Sequence, residues 1–186
     1  MANGVSSSSK IINVDDSVLL IVDIQERLMP VISEREIIEA SAVKLVKFAK
    51  VVGLPIIYTQ QIKLGDTVPE LKAELTDITP IEKSEFGCFS NESFKTEFSK
   101  LGVKNIIVCG VETHICVAQT VLSALSDYNV HIVSDAVSSR TLANRDIGLR
   151  RMQQAGAVIS SVEMVMFELL KKAGGDDFKA TLKLVK

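Results

Sequence analysis

Short runs of apolar, β-branched residues alternate with longer amphipathic segments along this chain. The runs cover residues 18–24, 55–59, 81–83, 106–109, 130–133 and 157–160. Continuous apolar strands are buried on both faces, as parallel strands are when helices cover the two sides of a sheet. The pattern predicts a three-layer α/β/α, Rossmann-like fold whose six-stranded, mainly parallel sheet has the order 3-2-1-4-5-6.

The segments between these runs carry helix signals. Ser33 followed by Glu36 predicts a capping box for a helix that extends to about Val52 and stops at Gly53. Further helices are expected to end at Gly102, to cover residues 142–155 and 162–173, and to cover residues 178–185 after a break at residues 174–175 with Asp176 as cap.

Length and composition restrict the class of protein. We expect a short disordered lead over residues 1–12, without the apolar core of a signal peptide, and a single domain over residues 13–186. The net charge of -2 predicts no nucleic-acid partner. The longest apolar run, residues 18–22, is too short for a membrane span, so no membrane partner is expected. Three cysteines form no disulfide framework, which favours a cytoplasmic location.

Cys116 is the first candidate for chemistry. The strand that ends at Gly110 is followed by Glu-Thr-His-Ile-Cys, so Cys116 is expected in the opening turn of a helix that Thr113 caps. Free backbone N–H groups and the helix macrodipole at that position are expected to lower the thiol pKa and to bind an oxyanion. The alternative is that Cys116 is a small apolar side chain of the core.

Two other strand ends carry charged residues. Asp23 closes the first apolar run, where it could accept the thiol proton, and Lys83 closes the third, where its cation would orient the aspartate and support the thiolate. Taken singly, Asp23 also fits a turn or helix cap and Lys83 a solvated surface residue. The carboxyl ends of parallel strands share one edge of the sheet, so the two are expected near Cys116.

These residues carry a resemblance to the isochorismatase-like cysteine hydrolases. The family pattern has an aspartate after the first strand, a lysine before a short aromatic-rich loop, and a Gly-Val-x-Thr-x-x-Cys turn. Here they are Asp23, Lys83 and residues 110–116, and Asp135 with Arg140 also fits the pattern. The resemblance extends from about residue 15 to residue 173 and implies one hydrolase domain of this family.

The resemblance implies a catalytic triad and its mechanism. Cys116 would attack an electrophilic carbon, Asp23 would move the proton and Lys83 would support the charges. The bond between Val111 and Glu112 would be a cis peptide, and the backbone N–H groups of Glu112 and Cys116 would form the oxyanion hole. The expected reaction is hydrolysis of a small-molecule amide or related C–N bond through a thioester-type intermediate.

The resemblance also bears on cofactors and assembly. Nicotinamidases of the family hold a metal with an aspartate and histidines after the second strand; residues 60–66 lack that set, so neither a metal nor another cofactor is expected. A homo-oligomer, dimer or tetramer, is implied. Two other classes stay open, namely a non-catalytic binding or scaffolding homologue and an aspartate-nucleophile phosphatase, for which Gln25 replaces the usual second acid.

Several further side chains are candidates for the substrate pocket. Gln25, Tyr58 and Phe89 would either line the pocket or pack in the core, and Thr113 lies in the cysteine turn itself. His114 lies only two residues before Cys116 and is expected at the pocket edge or the surface, because residues i and i+2 of a helix do not face each other.

Overall fold

The computed structural model describes residues 11–185 of the chain. Its sheet has six strands, β1 (Ser17–Val22), β2 (Ile56–Gln61), β3 (Ile81–Lys83), β4 (Asn105–Val111), β5 (Asn129–Ser138) and β6 (Val158–Ser160). Every pair of neighbouring strands is parallel, and the order is β3-β2-β1-β4-β5-β6. The predicted fold class and strand order are confirmed.

Helices cover both faces of the sheet. They are α1 (Arg35–Val52), α2 (Pro69–Glu74), α3 (Glu92–Ser99), α4 (Ala118–Ala124), α5 (Leu142–Gln154), α6 (Val162–Leu170) and α7 (Gly175–Val185). Side chains of α1, α2, α6 and α7 pack into one core, and side chains of α3, α4 and α5 pack into the other. The sheet is therefore the middle of three layers.

Strand β1 shows why the apolar runs are continuous. Leu19 and Ile21 belong to the core beneath α1, whereas Val18, Leu20 and Val22 belong to the opposite core. Successive side chains of a strand point to opposite faces, so a strand buried on both faces needs an apolar residue at every position.

The predicted capping box of α1 is wrong. Glu34 occupies the N-cap position with φ 57° and makes no side-chain cap. The Ser33 hydroxyl instead donates to the carbonyl of Arg140 at 3.0 Å, because the loop after β5 lies against the loop after β1. The predicted stop at Gly53 is confirmed, since this residue has φ 72° and its N–H donates to the carbonyl of Ala49.

Other element boundaries also differ from the predicted ones. Helix α6 stops at Leu170, before the predicted residue 173, because Lys171 adopts a left-handed conformation. Helix α7 begins at Gly175, so Asp176 lies in its first turn and not at a cap. Strand β5 runs past residue 133 through a bulge. Helix α2 was not expected, since it has six residues of which only Leu71 is buried.

The predicted lead falls mostly outside the described residues, which begin at residue 11. Ile12, its last residue, is 1% exposed and packs in the core with α1 and α6, so it belongs to the folded domain. Between residues 11 and 185, no helix combines the length and the apolar character needed to cross a bilayer.

Candidate active site

Asp23 and Lys83 form a buried ion pair at the carboxyl edge of the sheet. Asp23 follows β1 with φ 53°, a left-handed conformation that aspartate tolerates better than most residues. Lys83 is the last residue of β3. Its Nζ lies 2.6 Å from Asp23 Oδ2, and both side chains are 0% exposed. Two opposite charges with no solvent access must be paired to persist.

The remaining donors and acceptors of this pair are also satisfied. Thr59 Oγ1 donates to Asp23 Oδ1 at 2.7 Å, so each carboxylate oxygen receives one hydrogen bond. Lys83 Nζ donates further to Gln61 Oε1 at 2.9 Å and to the carbonyls of Glu85 at 3.1 Å and Phe86 at 3.3 Å. The pair is therefore held in one geometry by β2 and by the loop after β3.

Gly110 brings the cysteine turn close to Asp23. It pairs with Val22, the residue before Asp23, and has φ 128°. A Cβ at this position would lie 2.1 Å from the carbonyl oxygen of Val22. Only glycine therefore permits this approach of β4 to β1 at the site.

Cys116 lies in a π-helical turn, Thr113–Val117, that leads into α4. The peptide bond between Val111 and Glu112 is cis. The Glu112 carbonyl accepts hydrogen bonds from the N–H groups of Ile115 and Val117, both at 3.1 Å. The predicted cap is wrong, because Thr113 Oγ1 is buried without a hydrogen-bond partner among the described residues.

The thiol of Cys116 lies close enough to Asp23 for the carboxylate to affect its pKa. Burial and the neighbouring Asp23 carboxylate raise the Cys116 pKa to about 12, while Lys83 and the Glu112 backbone N–H act in the opposite direction. The expected lowering of this pKa is therefore wrong, because desolvation outweighs the effect of the helix start. The surroundings of the thiol thus include a proton acceptor, Asp23, and a backbone donor, Glu112.

The side chains next to Cys116 tie its turn to the loop after β5. Arg140 Nε donates to Glu112 Oε1 at 2.7 Å, so the Glu112 carboxylate is paired with a cation. His114 Nδ1 lies 2.9 Å from Ser139 Oγ. His114 thus faces the loop after β5, in agreement with the expectation that it does not form a dyad with Cys116.

The four predicted pocket residues are placed differently from one another. Gln25 is 0% exposed and its amide bonds to the backbone of Gln61 and Gly65, so it joins two loops. Tyr58 packs in the core of the opposite face and donates to the Ile78 carbonyl at 3.2 Å. Neither is positioned as a pocket wall.

Phe89 and Thr113 lie on the same side of the sheet as Cys116. The ring of Phe89 packs edge-on against Phe94 with centroids 5.1 Å apart, so packing accounts for it. Thr113 is fully buried at the start of the cysteine turn. Phe86 is more exposed than the four predicted pocket residues. It is 55% exposed, and its backbone carbonyl accepts a hydrogen bond from Lys83.

Thr59 and Gln61, which sequence reasoning missed, complete the surroundings of the ion pair. Both lie at the carboxyl end of β2. The sequence does contain a signal for these two residues, because in the strand order 3-2-1 the second strand lies between the first and the third. Polar residues that close β2 must therefore lie between Asp23 and Lys83.

The three-layer fold and the polar site at its strand ends define an α/β/α domain with a cysteine and a buried Asp-Lys pair at one edge of its sheet. A model of the Isochorismatase domain matches residues 17–164. The chain therefore belongs to the isochorismatase family and has its hydrolase fold.

Three similar proteins show how far this relationship extends. The secreted isochorismatase effector Isc1 of Phytophthora sojae is 37% identical over 177 residues, 91% of this chain and 84% of that protein. The MAR1 ribonuclease of Caenorhabditis elegans is 35% identical with a TM-score of 0.87, over 94% and 92% of the two chains. The ycaC gene product of Escherichia coli, described as an octameric hydrolase of unknown specificity, is 29% identical with a TM-score of 0.89, over 96% and 91%.

Proposed function

We propose that this protein is a metal-independent cysteine hydrolase that cleaves an amide or related C–N bond of a small molecule. The observation that carries the proposal is the position of Asp23, which is held by the Lys83 ammonium at 2.6 Å and lies close enough to Cys116 to raise the pKa of its thiol. Nucleophile, base and orienting cation are the three parts that covalent catalysis needs.

In the first half of the reaction, Cys116 Sγ bonds to the carbonyl carbon while its proton passes to Asp23. The carbonyl oxygen becomes an oxyanion bound by the backbone N–H groups of Glu112 and Cys116, each contributing on the order of 3 kcal/mol in the transition state. The C–N bond then breaks, and Asp23 returns the proton to the leaving nitrogen. The product of this half is an acyl thioester on Cys116.

In the second half, Asp23 accepts a proton from water as the water oxygen attacks the thioester carbon. The carbon–sulfur bond breaks, the thiolate takes the proton back from Asp23, and a carboxylic acid leaves. Lys83 takes no part in these proton transfers, because its Nζ is fixed by four oxygen acceptors. Its role is to hold Asp23 and to compensate its charge.

The two alternative classes are less well supported. A binding homologue without turnover would have no use for a thiol near a buried carboxylate that is held by a lysine. A phosphatase nucleophile must reach a phosphorus atom, whereas Asp23 is 0% exposed and both of its oxygens accept hydrogen bonds from Thr59 and Lys83. Gln25, two residues on, is bonded to the backbone and does not act as an acid.

The names of the relatives suggest two further features. The Escherichia coli neighbour is an octamer, and we infer a homo-oligomer here too. The Caenorhabditis elegans neighbour is named a ribonuclease, but a net charge of -2 gives this chain no general attraction for polyanions. A small molecule is the better substrate, and RNA serves as a comparison in the assay.

The test is a panel of small amides, ureido acids and imides, with a single-stranded RNA beside them. Wild type is compared with Cys116→Ala and with Cys109→Ala, a matched control that alters a buried cysteine of β4. We expect turnover of at least one C–N substrate, its loss in Cys116→Ala and its retention in Cys109→Ala. An acyl adduct on Cys116, seen by mass spectrometry during turnover, supports the thioester. Activity that survives in Cys116→Ala would refute the mechanism.

A further inference from the structure

Thr59 occupies an unusual position behind the base of the proposed hydrolase. It is 1% exposed, and β2 places it directly beside β1 through its pairing with Val22. Its hydroxyl donates to Asp23 Oδ1 at 2.7 Å, while Lys83 occupies the other oxygen, Oδ2. A cation reduces the basicity of the oxygen it contacts more than a neutral hydroxyl does. The oxygen bonded to Thr59 is therefore the better acceptor for the Cys116 proton.

A second buried thiol, Cys88, lies in the same core as Cys116. Burial raises the pKa of the Cys88 thiol to about 11, while the neighbouring Thr120 and Thr59 hydroxyls lower it. The Cys88 backbone N–H donates to Thr120 Oγ1 at 3.0 Å, and that hydroxyl donates to the Cys116 carbonyl at 2.7 Å. Cys88 is thus tied through Thr120 to the turn that holds Cys116, close enough to Thr59 for this hydroxyl to affect its pKa, and the mechanism gives it no covalent task.

On the basis of the proposed function, we propose that Thr59 is a positioning residue whose hydroxyl reverses its hydrogen bond when Asp23 takes the Cys116 proton. Before transfer, the hydroxyl donates to the Asp23 carboxylate. After transfer, the S–H bond of Cys116 is broken, an O–H bond exists on Asp23 Oδ1, and this O–H donates to Thr59 Oγ1. The Thr59 hydrogen then turns to the Cys88 sulfur, which is a weak acceptor. No proton leaves the site.

A hydroxyl suits this place because it serves both protonation states of Asp23. A lysine or amide N–H could only donate, and would oppose the protonated acid. A valine would fill the same space but would bind neither state. Substitution can therefore distinguish the effect of the Thr59 side-chain shape from the effect of its hydroxyl.

The role of the Thr59 hydrogen bond before proton transfer is tested by alkylating Cys116 with iodoacetamide between pH 7 and 10. Peptide mass mapping then identifies the alkylated residue. In Thr59→Val, the Asp23 carboxylate loses a donor and becomes a stronger base toward the thiol, so alkylation should become about 10-fold faster, the effect of one lost hydrogen bond to a charged group. Thr59→Ser keeps the hydroxyl and should react at close to the wild-type rate. Thr181→Val is the matched control, because Thr181 is a buried threonine whose hydroxyl bonds to a carbonyl in α7.

The opposite pattern would overturn the proposal. If Thr59 only fills space, Thr59→Val keeps the alkylation rate of the wild type, and Thr59→Ser is the variant that loses thermal stability. Thermal unfolding of both variants separates these two readings of the alkylation data. The result does not depend on turnover, so a wild type without activity on the panel would count against the proposed function and not against the role of Thr59.

The reversal itself is tested with Cys88→Ala and a substrate found in the panel. Removing the sulfur acceptor leaves the resting hydrogen bond between Thr59 and Asp23 in place, so the alkylation rate of Cys116 should stay unchanged. The reversed state loses its acceptor, so kcat should fall several-fold while KM is retained. A kcat equal to that of the wild type would remove Cys88 from the proposal.

Discussion

Replacement of Lys83 by methionine tests how much the fold depends on the buried ion pair. The Lys83 ammonium has four oxygen acceptors within 3.3 Å and no exposed side-chain surface. Methionine fills similar space but leaves the Asp23 charge without its cation, which costs about 3–5 kcal/mol at buried sites. For a chain of this length, we expect the midpoint of thermal unfolding to fall by about 6–20 °C.

The assay is thermal unfolding followed by circular dichroism, with Lys95→Met as the matched control. Lys95 pairs with Glu92 on the surface, and exposed pairs contribute little, so this variant should unfold close to the wild type. In the double variant Asp23→Asn with Lys83→Met, no charge is left unpaired. Its loss of stability should be smaller than the sum of the single losses by about 2 kcal/mol. Additive losses, or a loss below about 1 kcal/mol in Lys83→Met, would refute the reasoning.

Three other predictions concern the base, the close approach and pH. Asp23→Asn removes the carboxylate that helps to raise the Cys116 pKa, so alkylation of the thiol should become faster while turnover is lost; slower alkylation would contradict the contact. Gly110→Ala places a Cβ 2.1 Å from the Val22 carbonyl oxygen and should yield little folded protein, as measured by expression and circular dichroism. Burial lowers the pKa of His131 from 6.5, so its contribution to stability is present above that pH and is lost as the pH falls below it. His131→Gln should therefore flatten the fall in unfolding free energy between pH 7 and 5, and an unchanged slope would exclude this residue.

The three candidate catalytic residues could be predicted because each ends an apolar strand or follows one. Where such strands stop is visible in the sequence, and the parallel order brings their ends to one edge of the sheet. The role of Ser33 could not be predicted in this way. Its spacing to Glu36 is that of a capping box, but a partner more than 100 residues away, the Arg140 carbonyl, takes its hydroxyl.

The sequence also could not predict that the pKa of Cys116 is raised and not lowered. A helix start is a local feature, and its effect on a thiolate can be read from neighbouring residues. Burial and the approach of Asp23 depend on strands that are far apart in the chain, and together they outweigh the local effect. Thr59 is an intermediate case, because its place beside Asp23 follows from the strand order, whereas its hydrogen bond to Oδ1 does not.

A neutral thiol beside a paired carboxylate explains how the site tolerates its burial. Asp23 and Lys83 together carry no net charge, and Cys116 adds none while its pKa is about 12. During attack, the proton moves to Asp23 and the negative charge moves through sulfur to the substrate oxygen, where backbone N–H groups receive it. The total charge inside the protein is the same before and after this step. Burial therefore opposes this step less than it opposes the formation of a free thiolate in the resting site. Attack by Cys116 therefore requires the substrate carbonyl to be present, and the resting thiol should be far less reactive than the bound complex.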